Sequence, residues 1–232
     1  AISTIENRPS DSRYFPFPYL DYMLGLAKLR GLKTDADDNI QRFLQSFKGE
    51  NYIKDAYQKL AWHSLVHDDL DGYRDNMTLC KDNGTTTIDD DKQAQKEAEN
   101  GKVPNVVLLR ARLLFDGGYY KEAIKLFEGK STDDFEILKD KVEFTYRAGR
   151  IFHEWGKPDD AIGYYYATIK NGADLPHFYA ANACLQLGYI FEQEGNLDKA
   201  KYYYKKSLSY KDHEYKSSLQ QKAKAGLNRI DG

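Results

Sequence analysis

The stretch LGYIFEQEGNLDKAKYYYKKSL, residues 187–208, decides the fold of this chain. Small and aromatic residues stand at fixed places along it, namely Gly188, Phe191, Gly195, Ala200 and Tyr204. Gly195 suits a tight turn between two helices, because glycine accepts a left-handed backbone conformation without a Cβ penalty. The stretch therefore predicts two antiparallel helices that pack closely where their small residues meet.

The same pattern recurs upstream at a nearly constant spacing. The two clear copies are AGRIFHEWGKPDDAIGYYYATI at 148–169 and ARLLFDGGYYKEAIKLFEG at 111–129. Their central alanines, Ala161 and Ala123, precede Ala200 by 39 and 77 residues. A weaker copy, aligned less well, centres on Tyr73, with Ala61, Ser64, Asp68 and Met77 at the matching offsets. Self-similarity at such a period predicts a stack of helix hairpins.

The repeat also explains two tyrosine triplets, at 164–166 and 202–204. Tyr165 and Tyr204 occupy one equivalent position, four residues after the central alanine, where the second helix faces the core. The other tyrosines lie on flanking faces, where an amphipathic ring can be half-buried. We interpret the triplets as architecture, because proteins that stack single-stranded bases combine aromatic residues with a basic groove.

This pattern of small, aromatic, Gly, Ala and aromatic residues resembles the tetratricopeptide repeat (TPR), and the chain is similar to uncharacterised bacterial TPR proteins. The resemblance implies an all-α fold, an α-α superhelix (TPR-like solenoid) of antiparallel helix hairpins with a C-terminal capping helix. The spacing of 38–39 exceeds the roughly 34 residues typical of the family, so longer connections between hairpins are expected.

We predict a single TPR-like helical domain over 1–232. Its parts are a degenerate helical pair at 1–50, TPR-like hairpins at 54–81, 105–130, 142–170 and 181–210, a solvent-exposed insert helix within 82–103, and a capping helix at 213–230. The N-terminal pair has an apolar face of Ile40, Phe43, Leu44 and Phe47. The capping helix has an apolar stripe of Tyr215, Leu219, Ala223, Leu227 and Ile230.

The composition excludes several function classes. The 232 residues include 34 Lys+Arg and 36 Asp+Glu, so the net charge is -2. Nucleic-acid and anionic-membrane binding need a basic excess, and neither is predicted. No stretch approaches the roughly 20 apolar residues of a membrane span. The two cysteines, Cys80 and Cys184, cannot form a disulfide framework and are expected to be inert thiols.

The N-terminal sequence, AISTIENRPSDSRYF, has neither a Met nor an apolar targeting core. We therefore expect a processed protein or a fragment of a longer chain. Its compartment is unknown from the sequence: a soluble protein of the cytoplasm, or of the periplasm if a signal segment was removed. The oligomeric state does not follow from the sequence.

No residue pattern predicts an enzyme. His63 and His67 lie four apart, but Ser64 stands where a zinc hydrolase has glutamate, so a surface pair is expected rather than a metal site. Asn83-Gly84-Thr85 fits a glycosylation sequon, a short pattern that often arises by chance. We predict no catalytic residue, no metal and no cofactor.

The first helices of TPR arrays line a concave groove, and the resemblance implies that this groove binds a protein or peptide. The predicted partner-binding residues are Trp62, Asn105, Arg112, Glu143, Tyr146, Arg150, Asn182 and Tyr189. They form two stripes along the first helices, one of Trp62, Arg112, Arg150 and Tyr189 and one of Asp55, Asn105, Glu143 and Asn182, with Gln58, Leu108, Tyr146 and Leu185 between them. Arg112 and Arg150 could together grip a carboxylate. Equally, they could pair with Glu143, Glu154 or Asp116 and only solubilise the groove.

The resulting functional prediction is a non-catalytic scaffold or adaptor that binds an unknown protein or peptide partner. One alternative is a helical solenoid that binds a small molecule or glycan. Another is an accessory domain of a larger enzyme.

Overall fold

A computed structural model of the chain describes residues 2–9, 15, 17–211 and 213–232. The remaining residues, which include part of the predicted helical pair at 1–50, lie outside the described ones. The described residues contain helices and no strand, which confirms the all-α fold class. The helices are α1 (Ile2–Glu6), α2 (Tyr19–Arg30), α3 (Ala36–Ser46), α4 (Ile53–Val66), α5 (Leu70–Asp82), α6 (Asp89–Asn100), α7 (Val106–Asp116), α8 (Tyr120–Lys125), α9 (Leu138–Glu154), α10 (Pro158–Gly172), α11 (Tyr179–Gln193), α12 (Leu197–Ser209) and α13 (Lys216–Asp231).

The chain divides into two compact units, where the sequence predicts one domain. Unit 1 comprises residues 1–119 and unit 2 comprises residues 120–232. The boundary falls inside the predicted hairpin at 105–130, so α7 ends unit 1 and α8 begins unit 2.

Unit 2 contains two helix hairpins, α9 with α10 and α11 with α12, and α13 packs on the second of them. Each hairpin turns where the sequence predicts, with Gly156 at φ 78 and Gly195 at φ 75. The central residues Ala161 and Ala200 are fully buried, as the repeat register requires.

The buried tyrosine of each triplet packs against a glycine of the first helix. A Cβ added to Gly149 would lie 2.8 Å from the Tyr165 ring, and one added to Gly188 would lie 2.4 Å from the Tyr204 ring. Both rings are fully buried. The glycines are therefore required by close approach of an aromatic ring, which supports the architectural interpretation of the triplets.

Unit 1 contains the hairpins α2 with α3 and α4 with α5. In the second hairpin Asp68 takes the glycine position of the turn, with φ 65. In the first hairpin Leu32 takes it, with φ 52. Here Gly25 meets Ile40, which lies 15 residues later, whereas Gly149 meets Tyr165 after 16. The connection of α2 and α3, residues 31–35, is longer than the three residues 155–157 between α9 and α10. This different register explains why the N-terminal pair matches the repeat poorly.

The capping helix α13 differs from its prediction at Tyr215. This residue precedes the helix with φ 60 and is 50% exposed, so it is not on the apolar stripe. Its ring contacts Phe178 edge-to-face at 5.2 Å. Leu219 and Ala223 are buried, as predicted. Gly226 adds a feature that the stripe did not include, because a Cβ there would lie 2.5 Å from the Tyr204 ring.

Candidate functional site

The predicted partner-binding residues divide between the two units, and each set is described within its own unit. We call the side of a first helix that carries the predicted stripes its stripe face. In unit 1 the predicted residues are Trp62 on α4, Asn105 just before α7 and Arg112 on α7. In unit 2 they are Glu143, Tyr146 and Arg150 on α9, and Asn182 and Tyr189 on α11.

A polar pair spaced by four residues recurs on the stripe faces. On α4, Lys59 Nζ lies 2.6 Å from Asp55 Oδ1. On α9, Arg147 binds Glu143, and on α11 the Gln186 amide donates to Asn182 Oδ1 at 3.0 Å. The first members, Asp55, Glu143 and Asn182, lie on one predicted stripe. The second members, Lys59, Arg147 and Gln186, were not predicted from the sequence. Their positions could have been predicted, because residues four apart share one face of a helix.

Glu143 is the most strongly paired carboxylate of α9. It accepts from Lys139 Nζ at 2.7 Å and from Arg147 Nε at 2.7 Å, and it is only 7% exposed. Burial alone would raise the pKa of Glu143, but the charges of Arg147 and Lys139 outweigh it and hold the pKa well below its usual range. Glu143 is therefore an ionised structural group whose acceptor oxygens are already engaged.

Tyr146 is the centre of a hydrogen-bonded group that joins α9 to α11. Its hydroxyl oxygen accepts from Arg150 at 3.2 Å and from Asn182 Nδ2 at 2.8 Å. The Tyr146 ring packs edge-to-face against Phe178 at 5.5 Å. Arg150 also bonds Glu154 Oε1 at 3.2 Å. Three of the predicted residues, Tyr146, Arg150 and Asn182, are thus brought together.

A chain of hydrogen bonds leads away from this group into the core. Gln186 donates to Asn182 and is also bonded to His153, whose Nδ1 lies 3.4 Å from the Tyr165 hydroxyl. Burial lowers the pKa of His153, so its neutral form is favoured. Tyr189 stands apart from this chain, half-buried and with its ring 5.7 Å from that of Tyr204.

On α4 the stripe face is covered by α6. Trp62 Nε1 donates to Oε1 of Glu97 and Gln58 Nε2 donates to Oε2 of the same carboxylate, both at 2.7 Å. Asp91 accepts from the backbone N–H groups of Tyr52 and Asp55 at 2.7 and 3.0 Å, at the start of α4. The predicted insert helix is present as α6 and its outer side is exposed, but the carboxylates of Asp91 and Glu97 tie its inner side to α4.

The two predicted residues of α7 have local roles. Asn105 caps the helix, since its Oδ1 accepts from the N–H groups of Val107 and Leu108 at 3.0 and 3.2 Å. The Arg112 guanidinium lies 4.6 Å from the centre of the Trp62 ring. Arg112 and Arg150 lie in different units, so their joint grip on a carboxylate stays a prediction.

The alternative prediction, that the arginines pair with nearby acids, is met in two of its three pairings. Arg112 Nε lies 3.9 Å from Asp116, and Arg150 bonds Glu154. Glu143 instead binds Arg147 and Lys139. The other residues of the predicted stripes are buried, namely Asp55, Gln58, Leu108 and Leu185.

The histidine pair makes structural contacts. His63 Nε2 lies 3.1 Å from the Thr34 carbonyl oxygen, and His67 Nδ1 lies 2.8 Å from the His63 carbonyl oxygen. Within the described residues, no three His, Cys, Asp or Glu side chains are grouped so that they could hold a metal ion. Nor does that part of the chain contain a helix of the length and apolarity that crossing a membrane requires. Cys80 and Cys184 are buried and free.

Comparison with known proteins identifies one segment. The family profile of the tetratricopeptide repeat matches residues 181–213, which comprise most of α11, all of α12 and part of the connection to α13. No curated protein and no solved structure matches the chain. The profile confirms the resemblance at the hairpin predicted for 181–210, and a repeat of this family supports a role in protein interaction.

Proposed function

We propose that this chain, which carries a tetratricopeptide repeat at residues 181–213, is a scaffold that binds a protein or peptide partner and catalyses no reaction itself. The partner would bind the stripe faces of α9 and α11 in unit 2. The observation that carries this proposal is the hydrogen-bonded group of Tyr146, Arg150 and Asn182, which joins two successive first helices.

Two properties of this group favour binding. Arginine and tyrosine are enriched among the residues that dominate interface energies. The Arg150 side chain is also held by Tyr146 and Glu154 before any partner arrives. A side chain that is already ordered loses less conformational entropy on binding, so more of its interaction energy appears as affinity.

Of the two units, unit 2 is the better candidate for the binding surface. In unit 1 the stripe face of α4 is covered by α6, and Asn105 is engaged as a helix cap. In unit 2 the side chain of Arg150 keeps 21% exposure and that of Glu154 keeps 43%. We therefore assign the first contact with a partner to Arg150, with Tyr189 as a flat neighbouring surface.

The test begins with capture from a native extract by the wild-type chain, followed by titration of the captured partner. Arg150→Ala should weaken binding by roughly 2 kcal/mol, the effect typical of a central interface residue. Lys205→Ala is the matched control, since this cation is exposed on α12, and it should leave binding unchanged. Equal affinity of the Arg150 variant and wild type would exclude the proposed surface.

A further inference from the structure

Helix α6 shows how a stripe face of this molecule holds an acidic helix. Its contacts with α4 include hydrogen bonds of Asp91 and Glu97, and its fully buried residues are Asp91 and Ala94. One carboxylate, that of Glu97, bridges two donors one helical turn apart on α4, Gln58 and Trp62. The molecule therefore contains an example of an acidic helix bound to a first helix through a bridging carboxylate.

The same two positions on α9 carry donors of the same kind. Residues 146 and 150 lie 88 positions after 58 and 62 in the repeat alignment, and Tyr146 and Arg150 occupy them. Tyr146 is buried, and both bonds recorded for its oxygen are accepted by it, so its own O–H proton is used in neither of them. Tyr146 and Arg150 can thus offer a carboxylate two donors, as Gln58 and Trp62 do.

The ion pair of Arg150 with Glu154 is exchangeable. Glu154 lies on the same helix, four residues later, and its side chain is 43% exposed. An ion pair between residues four apart on a helix surface contributes little to stability. An incoming carboxylate that is also bonded to Tyr146 would therefore displace Glu154 at small cost.

We infer that the partner presents an acidic helix to unit 2, with a carboxylate that bridges Tyr146 and Arg150 as Glu97 bridges Gln58 and Trp62. This inference rests on the proposed function and adds the chemical class of the partner. The expected binding segment has a small residue near the interface and an acid one turn away, as Ala94 and Glu97 are placed in α6.

The probe is a synthetic peptide of residues 86–103, labelled with a fluorophore and crosslinked between positions 92 and 96 to hold the helix. Both positions are exposed in α6, so the crosslink leaves the binding side free. The full chain is titrated and anisotropy is recorded. Because the α4 face is covered in the full chain, we expect binding to protect amide hydrogens of α9 and α11 from exchange.

Three variants test the contact itself. Arg150→Ala should weaken peptide binding at least about 10-fold, because a hydrogen bond to a charged group is lost. Glu154→Gln should strengthen it about 2-fold, because the competing carboxylate is removed. A peptide with Glu97→Gln should bind at least about 5-fold more weakly than the parent peptide. Lys205→Ala should bind the parent peptide as wild type does.

Several outcomes would overturn the inference. These are absence of binding, equal binding by Arg150→Ala, or exchange protection confined to α4, which would mean that the peptide only replaces α6. Association of the chain through α6 of a second copy, seen as a dimer by light scattering, would also overturn it. A captured partner that depends on Arg150 but is not displaced by the peptide would uphold the proposed function and reject the acidic helix.

Discussion

Helices α4 and α9 each carry a pair of one acidic and one basic residue at the same repeat position. Their stripe faces, however, have different neighbours. On α4 the pair is Asp55 with Lys59, and α6 covers the face beside it. On α9 the pair is Glu143 with Arg147, and hydrogen bonds run from this helix to α11 instead. The repeat determines which residues share a face, whereas the adjacent helix determines what those residues bond.

The largest effect is expected where a buried pair of α9 is broken. Glu143→Gln leaves Arg147, whose side chain is 14% exposed, without its carboxylate. The loss in the free energy of unfolding should be about 3–5 kcal/mol, as for other buried pairs that lose one partner. Chemical denaturation measures it. Glu194→Gln, on an exposed turn, should change stability by less than about 0.5 kcal/mol, and similar losses in both variants would contradict the assignment.

The same carboxylate predicts how stability depends on pH. The folded state lowers the pKa of Glu143 below its usual 4.5, so the ionised form stabilises the fold at neutral pH. This contribution is fully present above pH 4.5 and is lost as the pH falls toward the lowered pKa. Between pH 5 and pH 3, roughly, wild type should therefore lose stability more steeply than Glu143→Gln. Parallel curves would show that Glu143 titrates normally.

A second experiment addresses the contact between glycine and tyrosine that distinguishes the hairpins of unit 2. Gly188→Ala forces a methyl group against the Tyr204 ring and should cost about 1–3 kcal/mol. Gly163→Ala is the matched control, because nothing lies within 4 Å of a Cβ there. It should stabilise the protein by about 0.5–1 kcal/mol, since alanine is the better helix former. Melting temperatures that fall in both variants would contradict this packing.

A third experiment loosens α6 from α4. Asp91→Ala removes the carboxylate that accepts from two N–H groups at the start of α4, and the expected loss is about 1–2 kcal/mol. Asp89→Ala removes a carboxylate that is 96% exposed and should cost less than about 0.5 kcal/mol. Hydrogen exchange should also increase in α6 for the first variant alone. Unchanged exchange there would show that α6 is held by other contacts.

The smallest effect concerns the turn of α4 and α5. Asp68 adopts φ 65, a conformation that glycine takes without strain, and its exposed carboxylate pairs with Arg110 at 3.2 Å. Because such an exposed pair contributes little, Asp68→Gly should still stabilise the protein, by at most about 0.5 kcal/mol. The mirror change, Gly156→Ala at φ 78, should destabilise it by about 1 kcal/mol. Thermal unfolding of the two variants provides the comparison. Changes of the same sign would mean that the two turns are not equivalent.

The sequence predicted the features that depend on short offsets within one hairpin. The turns at Gly156 and Gly195 and the buried positions Tyr165 and Tyr204 all follow from residues fewer than 20 apart. Such features can be predicted from the sequence, because a tight turn and a close helix contact each strongly restrict the allowed residue types. Asp68 also has a positive φ at the turn position, although its residue type alone does not indicate a turn.

Contacts between hairpins could not be predicted in the same way. Glu97 reaches Trp62 from 35 residues away, and nothing in the polar sequence of α6 distinguishes a docked helix from a solvated one. Asn182 was predicted as a partner-binding groove residue, and its amide bonds both Tyr146 and Gln186. Side-chain amides and carboxylates bond many kinds of partner, so their type alone does not identify the partner.

The position of Tyr204 has a consequence for the dynamics of unit 2. Its ring lies between the backbones of Gly188 and Gly226, and its hydroxyl donates to Glu192, which Arg229 also binds at 2.7 and 2.8 Å. Rotation of the ring about its axis sweeps out volume that the two glycines occupy, so α11 and α13 must separate before it can turn. The rate of ring flipping, measured by NMR as splitting or averaging of the Tyr204 ring resonances, therefore reports how often α11 and α13 separate.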